Sequence, residues 1–199
     1  FYRSTDGGQS WVANYSMAAA IFSPDGSFLV GCSVSGGAYT TYISTNDGRH
    51  NWTQKGTNSI GCPEYAFNNG TLIARSGGDM AKSTDYGQTW TETSNVLNMS
   101  GISSFSNNGN NIFEGDRISL DGGNRWTPSN APIPAGYTFY QTGISDDGKK
   151  LVTTVKSTSN IREAKLLTSV DGGRTWDSED LSSNYVAMSN DGSKLFNAY

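Results

Sequence analysis

Short apolar runs alternate with small polar clusters along this chain, on a period near 40 residues. One motif reads "IFSPDGSFLV" (21–30), "YAFNNGTLIA" (65–74), "SFSNNGNNIF" (104–113), "GISDDGKKLV" (143–152) and "AMSNDGSKLF" (187–196). Each copy has an apolar or small residue, a Ser or Asn, a turn with Gly, and then an apolar pair. Asp-Gly and Asn-Gly between apolar runs supply the positive φ of tight turns, so each copy predicts a hairpin. A second motif falls between the copies: "STDGGQSW" (4–11), "STNDGRHNW" (44–52), "STDYGQTW" (83–90), "SLDGGNRW" (119–126) and "SVDGGRTW" (169–176). Its tryptophans, Trp11, Trp52, Trp90, Trp126 and Trp176, recur at intervals of 41, 38, 36 and 50 residues.

Two hairpins per repeat make four strands in about 40 residues, which is the content of one β-propeller blade. The last repeat stops at "SKLFNAY" (193–199) after two strands, and "FYRSTDGGQSW" (1–11) supplies the two that it lacks. The sequence therefore predicts an all-β, five-bladed propeller of four-stranded antiparallel blades. Its closing blade is built from both termini, and residues 1–199 form a single domain. Closure would remove the unpaired edges of an open stack. The stretch 159–167 ("SNIREAKLL") is the only one that resembles a helix. Lying between hairpin signals, it reads as a longer loop feeding a strand.

Composition narrows the function. The net charge of −4 argues against a nucleic-acid surface, which would show a basic stripe. Aromatic residues make up 12% of the chain, including 5 Trp, which suits packed strands rather than disorder. No apolar run reaches membrane-spanning length, and nothing suggests membrane insertion. The sequence begins without an initiator Met or a signal peptide, as expected of a mature or excised product.

The pattern Ser-x-Asp-x-Gly-x-Thr-Trp resembles the Asp-box, or bacterial neuraminidase repeat, of sialidases and many other propellers. The boxes at Ser4–Trp11, Ser83–Trp90 and Ser169–Trp176 fit it well. The fourth carries Arg125 where Ser or Thr is expected, and the second has an extra residue and Asn51 at that place. Physically the box is a folded turn. Asp6, Asp47, Asp85, Asp121 and Asp171 can accept backbone N–H bonds of their own loops, and each Trp buries its body against a neighbouring sheet. Those five aspartates are expected to be structural. Too few carboxylates lie in each loop for a calcium site, so no metal and no cofactor is expected.

In propellers of this type both hairpin turns of a blade lie on one face, the bottom. The loops leading into each blade, and the loops between second and third strands, lie on the top. The resemblance then brings Cys32, at the upper end of a second strand, near Cys62, before the next blade. Two free thiols are the plainer alternative to a disulfide there; a disulfide would point to an oxidising, extracellular setting. N-glycosylation acceptors occur at Asn14, Asn51, Asn69 and Asn98, all in loops or turns, which would suit a secreted glycoprotein.

A sialidase would need three clustered arginines, a Tyr activated by a Glu, and an acidic proton donor. Arg49, Arg125 and Arg174 lie in box turns, while Arg3, Arg75, Arg117 and Arg162 are scattered, and six blades would be expected. His50, the only histidine, has no triad partners. Glu64, Glu114, Glu163 and Asp116 could still meet as a glycosidase pair, so a glycoside hydrolase stands as a third reading and no catalytic residues are assigned.

A binding site is better supported. Tyr15, Tyr137, Phe139, Tyr140 and Tyr185 are expected in the loops that lead into blades, with Arg162 nearby, and could meet sugar rings or a partner protein. The longest such loop, "PSNAPIPAGYTFYQ" (128–141), and its counterpart "KSTSNIREA" (156–164) both belong to the fourth blade. That extra length is where function is expected. The favoured reading is a non-enzymatic extracellular module binding carbohydrate or an extracellular protein through its top face. The alternative is a self-assembling structural subunit of an extracellular filament or coat.

Overall fold

In the computed structural model, residues 2–4, 6–13, 17–45, 52–67, 69–76, 79–93, 103–160, 162–181 and 185–198 are described. Every regular element among them is a β-strand. The chain divides into two compact units, Phe1–Asn98 and Met99–Tyr199.

The first unit opens with a hairpin of β1 (Tyr2–Arg3) and β2 (Val12–Ala13). A four-stranded sheet follows: β3 (Ala19–Phe22), β4 (Leu29–Ser35), β5 (Ala38–Ser44) and β6 (Thr53–Asn58). A second is built from β7 (Pro63–Ala66), β8 (Leu72–Ser76), β9 (Asp79–Ser83) and β10 (Thr91–Thr93). The second unit repeats the plan with β11 (Ser104–Phe105), β12 (Ile112–Phe113), β13 (Arg117–Ser119) and β14 (Thr127–Pro128). Its larger sheet holds β15 (Tyr137–Ile144), β16 (Leu151–Ser157), β17 (Ala164–Ser169) and β18 (Asp177–Leu181). A final hairpin joins β19 (Tyr185–Met188) and β20 (Leu195–Ala198).

All pairings are antiparallel between neighbours in sequence, as two-hairpin repeats require. The four-stranded meanders agree with the expected blade content. The terminal strands form two two-stranded sheets, β1–β2 in the first unit and β19–β20 in the second. The stretch 159–167 has its described residues in a turn followed by β17, not in a helix.

Second strands carry the core. Leu29, Val30, Leu72, Ile73, Ile112, Leu151 and Val152 are all nearly inaccessible to solvent, because the second strand is paired on both edges and covered on both faces. Fourth strands are polar edges: β6 contains Lys55, β10 Glu92, β14 Pro128, and β18 Asp177, Glu179 and Asp180. Charges and proline on an edge discourage pairing with another chain.

Both turn types build themselves from side chains. In the first turn, Ser23 Oγ donates to Asp25 Oδ1 at 2.8 Å, the Ser27 N–H donates to the same oxygen, and the Phe28 N–H donates to Ser23 Oγ. Ser106/Asn108, Ser145/Asp147 and Ser189/Asp191 repeat all three bonds. In the box, Ser83 Oγ donates to Asp85 Oδ1 and accepts from the Gly87 N–H, while the Thr89 N–H and hydroxyl both donate to the Asp85 carboxylate. Boxes one and five match it, at Ser4/Asp6/Ser10 and Ser169/Asp171/Thr175. In the fourth, Arg125 has no hydroxyl to offer, and only its N–H donates to Asp121. Asp47 lies outside the described residues.

The second box Gly must adopt positive φ, +85° at Gly87 and Gly173 and +89° at Gly123. Each described box Trp whose bonds are known donates Nε1–H back to that Gly's carbonyl: Trp11 to Gly8, Trp90 to Gly87, Trp126 to Gly123 and Trp176 to Gly173. The indole body then packs against a cluster that two adjacent repeats share: Trp90 against that of Phe28, Val30, Ile43, Ala66 and Leu72, and Trp176 against that of Phe113, Ile118, Ile144 and Leu151. Trp11 is the exception, 61% exposed.

Among the described residues, the bonds that join one repeat to the next differ between the two units. In the first, Cys32 of β4 and Cys62, one residue before β7, form a disulfide with Cα atoms 5.6 Å apart. Gly56 in β6 also runs against the third box turn so closely that a Cβ there would collide with the Gln88 and Gly87 carbonyl oxygens. In the second unit, successive first turns clasp one another. The Asn107 N–H and Nδ2 donate to the Asp146 carboxylate, Asn111 Nδ2 to the Asp146 carbonyl, and the Asp146 N–H to the Asn190 carbonyl. Lys150 Nζ adds bonds to the Asp191 and Gly192 carbonyls.

Candidate functional site

The end of the fourth sheet remote from its hairpin turns gathers the extra chain length of that repeat. The segment 129–136 and the β16–β17 loop (158–163) lock together, the Thr158 N–H and hydroxyl both donating to the Gly136 carbonyl at 2.8 and 3.0 Å. The Tyr137 N–H donates to the Pro134 carbonyl, closing a turn in which Gly136 takes φ of +80°. Within the second loop, Ser157 Oγ accepts from the Ser159 and Asn160 N–H groups. Asn160 Nδ2 donates to Glu163 Oε1 at 2.8 Å, and the Tyr137 hydroxyl lies 3.4 Å from Glu163 Oε2. Two long loops that order each other in this way form a platform rather than a pair of loose ends.

On this platform the aromatic residues stand in strands. Tyr137, Phe139 and Tyr140 belong to β15 and Tyr185 to β19, not to the loops before them as their sequence position suggests. The reason is pairing: Tyr137 opposes Ser157, so the ladder reaches the base of the loop. Its register slips between Phe139 and Gln141, making Tyr140 the extra residue of a β-bulge. A bulge bends the strand and re-aims one side chain. Tyr140 meets Tyr185 edge-to-face, with ring centroids 5.7 Å apart, and donates its hydroxyl to that of Tyr185 at 3.2 Å. That bond pushes the Tyr185 phenol above its ordinary pKa, so Tyr185 stays protonated at neutral pH. Lys156 Nζ sits 4.2 Å from the Tyr140 ring centroid, a cation–π contact. Gln141 Oε1 accepts from the Val186 N–H at 2.7 Å, tying β15 to β19 directly.

Tyr185 is 55% exposed, Tyr140 is half-buried beneath it, and Arg162 is exposed. Phe139 lies across Gly115, where a side chain would strike its ring, so it is packing rather than contact surface. Tyr15 lies outside the described residues. Sequence reasoning did not single out Lys156, Asn160 or Gln141. Lys156 had a legible signal, as the charged residue ending an otherwise uncharged strand, "LVTTVKS".

The remaining carboxylates have their own partners. Glu64 accepts from Arg75 Nε at 2.8 Å and forms an ion pair with Arg75 Nη2 at 2.6 Å; Arg75 also lies over the Tyr65 ring. Glu114 is buried and accepts from Ser103 Oγ at 3.1 Å. Asp116 is paired with Arg117 at 3.4 Å beside a shallow groove of about 260 Å³, lined also by Trp126, Thr127 and Pro128. No group of three or more His, Cys, Asp or Glu that could hold a metal occurs among the described residues.

Box and turn aspartates are held well below the usual carboxylate pKa by the hydroxyl and N–H donors around them. Asp85 falls to about 2, chiefly through the Thr89 hydroxyl, and Asp171 to about 2 through that of Thr175. Asp191 reaches about 2 through the Ser189 hydroxyl. Asp6 is lowered further by Ser10, whereas Asp121 is lowered first by the Arg125 N–H. Much of the acidic character is therefore bound up in turns and need not describe a partner.

Of the acceptor asparagines, Asn14, Asn51 and Asn98 lie outside the described residues. Asn69 is exposed in the first turn of its repeat, its Oδ1 accepting from the Thr71 N–H at 3.0 Å.

Comparison with known proteins agrees with this architecture. The chain carries a BNR/Asp-box repeat, whose family model matches residues 2–13. Its structure is similar to those of propeller-type proteins. An ancestral GH74 enzyme superposes with a TM-score of 0.56 at 14% identity, covering 89% of this chain and 30% of that one. A TolB-type protein of Agrobacterium tumefaciens superposes at 0.50 and 15% identity, covering 82% of this chain and 65% of that one. YCF48 bound to D1 peptide superposes at 0.43 and 16% identity over 98% of this chain and 82% of its own. The chain thus spans less than two-thirds of the length of the GH74 and TolB proteins. No curated protein sequence matches. No helix among the described residues is long and apolar enough to cross a membrane.

Proposed function

We propose that this chain is a non-enzymatic, extracellular β-propeller module that binds a carbohydrate or a partner protein through the platform of its fourth and fifth repeats. The observation that carries the reading is the re-aimed Tyr140 supporting an exposed Tyr185, next to two mutually ordered loops. An aromatic face flanked by hydroxyl and amide groups offers apolar contact together with oriented hydrogen bonds, the requirements of a lectin-like site. The Cys32–Cys62 disulfide supports an oxidising compartment, where Asn69 would be open to glycosylation.

Five blades belong to the same reading. The β19–β20 hairpin has the first turn and lacks a box, while β1–β2 has a box and lacks a first turn, so together they make one complete repeat. The decisive experiment is a binding screen of the intact protein against immobilised glycans and extracellular proteins, with Tyr185→Ala and Tyr140→Ala in parallel. A ligand that loses about tenfold or more in affinity with either variant, while the circular dichroism is unchanged, supports the platform. A ligand indifferent to both moves the function elsewhere. Turnover of a glycoside, lost in Glu114→Gln or Glu163→Gln, would replace the non-enzymatic reading with the hydrolase.

One observation favours assembly as a second reading. Both terminal hairpins expose large apolar side chains, Tyr2 at 66% and Trp11 at 61% on one, Phe196 at 66% and Leu195 at 43% on the other. Exchange of such hairpins between copies would bury the same surfaces as closure within one chain. Light scattering across a dilution series separates the two, since closure gives monomers and exchange gives concentration-dependent oligomers.

A further inference from the structure

We infer that the ligand of the platform is an acidic glycan, one bearing carboxylate groups on its sugar rings; this rests on the platform being the binding site. The observation is a cation, Lys156, seated on the aromatic pair, with a second, Arg162, exposed in the loop that follows its strand. Lys156 and Arg162 lie at the end of β16 and in the loop that follows it, and neither is ion-paired among the described residues. The neighbouring Lys165, by contrast, is neutralised by Asp180. Glu163, the carboxylate of the same loop, is turned to Asn160 and Tyr137 rather than to either cation.

Lys156 is also pre-positioned. Its ammonium rests on the Tyr140 ring, so less side-chain freedom remains to be lost when an anion arrives. The Tyr140–Tyr185 hydroxyl bond fixes the second ring, which is left 55% exposed as a face for the apolar side of a pyranose. A sugar stacked on Tyr185 with its carboxylate turned towards Lys156 uses both features, and a neutral sugar uses only the first. An acidic peptide would satisfy the cations without needing a flat aromatic face.

The test is isothermal titration of the intact protein with a short oligouronate and with the same oligosaccharide after its carboxyls are reduced to alcohols. An oligoglutamate peptide of matched charge is the third titrant. The acid form should bind about tenfold more tightly than its reduced counterpart at low salt. The gap should narrow in high salt and in Lys156→Gln and Arg162→Gln, whose unchanged circular dichroism verifies folding. Equal affinity for acid and reduced forms overturns the inference and leaves the platform in place. Binding of oligoglutamate as tight as that of the oligouronate overturns the glycan assignment. Failure of all three to bind overturns the inference and, if the screen for other ligands is also negative, the platform with it.

Discussion

The two units use one repeat and share one close approach between repeats, Gly56 against the Gln88 carbonyl and Gly173 against the Ser129 carbonyl, but among the described residues each adds a different fastening. In the first, neighbouring sheets are held by a covalent bridge at Cys32–Cys62. In the second, the fastening is a chain of turn-to-turn hydrogen bonds running through Asn107, Asp146 and Asn190, with Lys150 alongside. The strands and turns alone therefore do not prescribe how a repeat meets its neighbour. Joining is a further layer of chemistry, written partly at variable positions within the turn motifs, such as Asn107, Asp146 and Asn190, and partly outside them, as at Cys32, Cys62 and Gly56.

Removing the covalent link should have the largest effect. The bridge closes a loop of 30 residues, so the double variant Cys32→Ser/Cys62→Ser should lose roughly 3–4 kcal/mol, or about 10 °C in melting temperature. Hydrogen exchange should accelerate in β3–β10 and leave β15–β18 unchanged; equal acceleration in both would mean that the fastenings are not local. Gly56→Ala comes next, at about 2 kcal/mol, because the added methyl meets backbone oxygens that cannot turn aside. A crystal structure with β6 displaced from Gln88 would verify the cause. Asp146→Ala should cost about 1 kcal/mol by denaturant unfolding, since the bonds it removes are exposed to water. Its exchange effect should fall on β11–β20 and spare the first unit.

The smallest effect is one of pH and compares the boxes themselves. Asp85 and Asp171 have folded pKa values of about 2, below the unfolded value of about 3.9, so they favour the folded turn most fully above about pH 4. That contribution disappears as pH falls through about 2. The amide signals of Thr89 and Thr175 should therefore titrate near pH 2 in an NMR series. Arg125→Thr would add the hydroxyl that the fourth box lacks and should move the titration of Asp121 downwards; no movement would show that the hydroxyl is not what sets these values.

Much of this was legible in the sequence because Gly, Asp and Trp at fixed spacing are dictated by backbone geometry. The five box tryptophans located the repeats, and "DG" and "NG" located the first turns. Even the irregular fourth box was visible, as Arg125 in place of a hydroxyl. The turn-to-turn chain was not, since Asp146 in "SDDGKK" looks like one more turn acid and its partners Asn107 and Asn190 lie 39 residues back and 44 ahead. Nor was the bulge at Tyr140, because an extra strand residue leaves no mark when its neighbours are Phe and Gln. That Tyr137 to Tyr140 belong to β15 and not to the loop before it is equally hidden, because ladders end where a partner runs out, which one strand's sequence does not reveal.

The pinning of each indole by its own turn has a spectroscopic consequence. There is one tryptophan per box, and those with known bonds cannot rotate without giving up a Gly carbonyl, so the emission of this protein is a set of fixed reporters spread evenly along the chain. Trp11 alone stands open to solvent, whereas Trp52, Trp90, Trp126 and Trp176 are half-buried. Iodide should quench a red-edge fraction first and the remainder reluctantly. Loss of that accessible fraction as copies associate would give an optical signal for assembly without any added label.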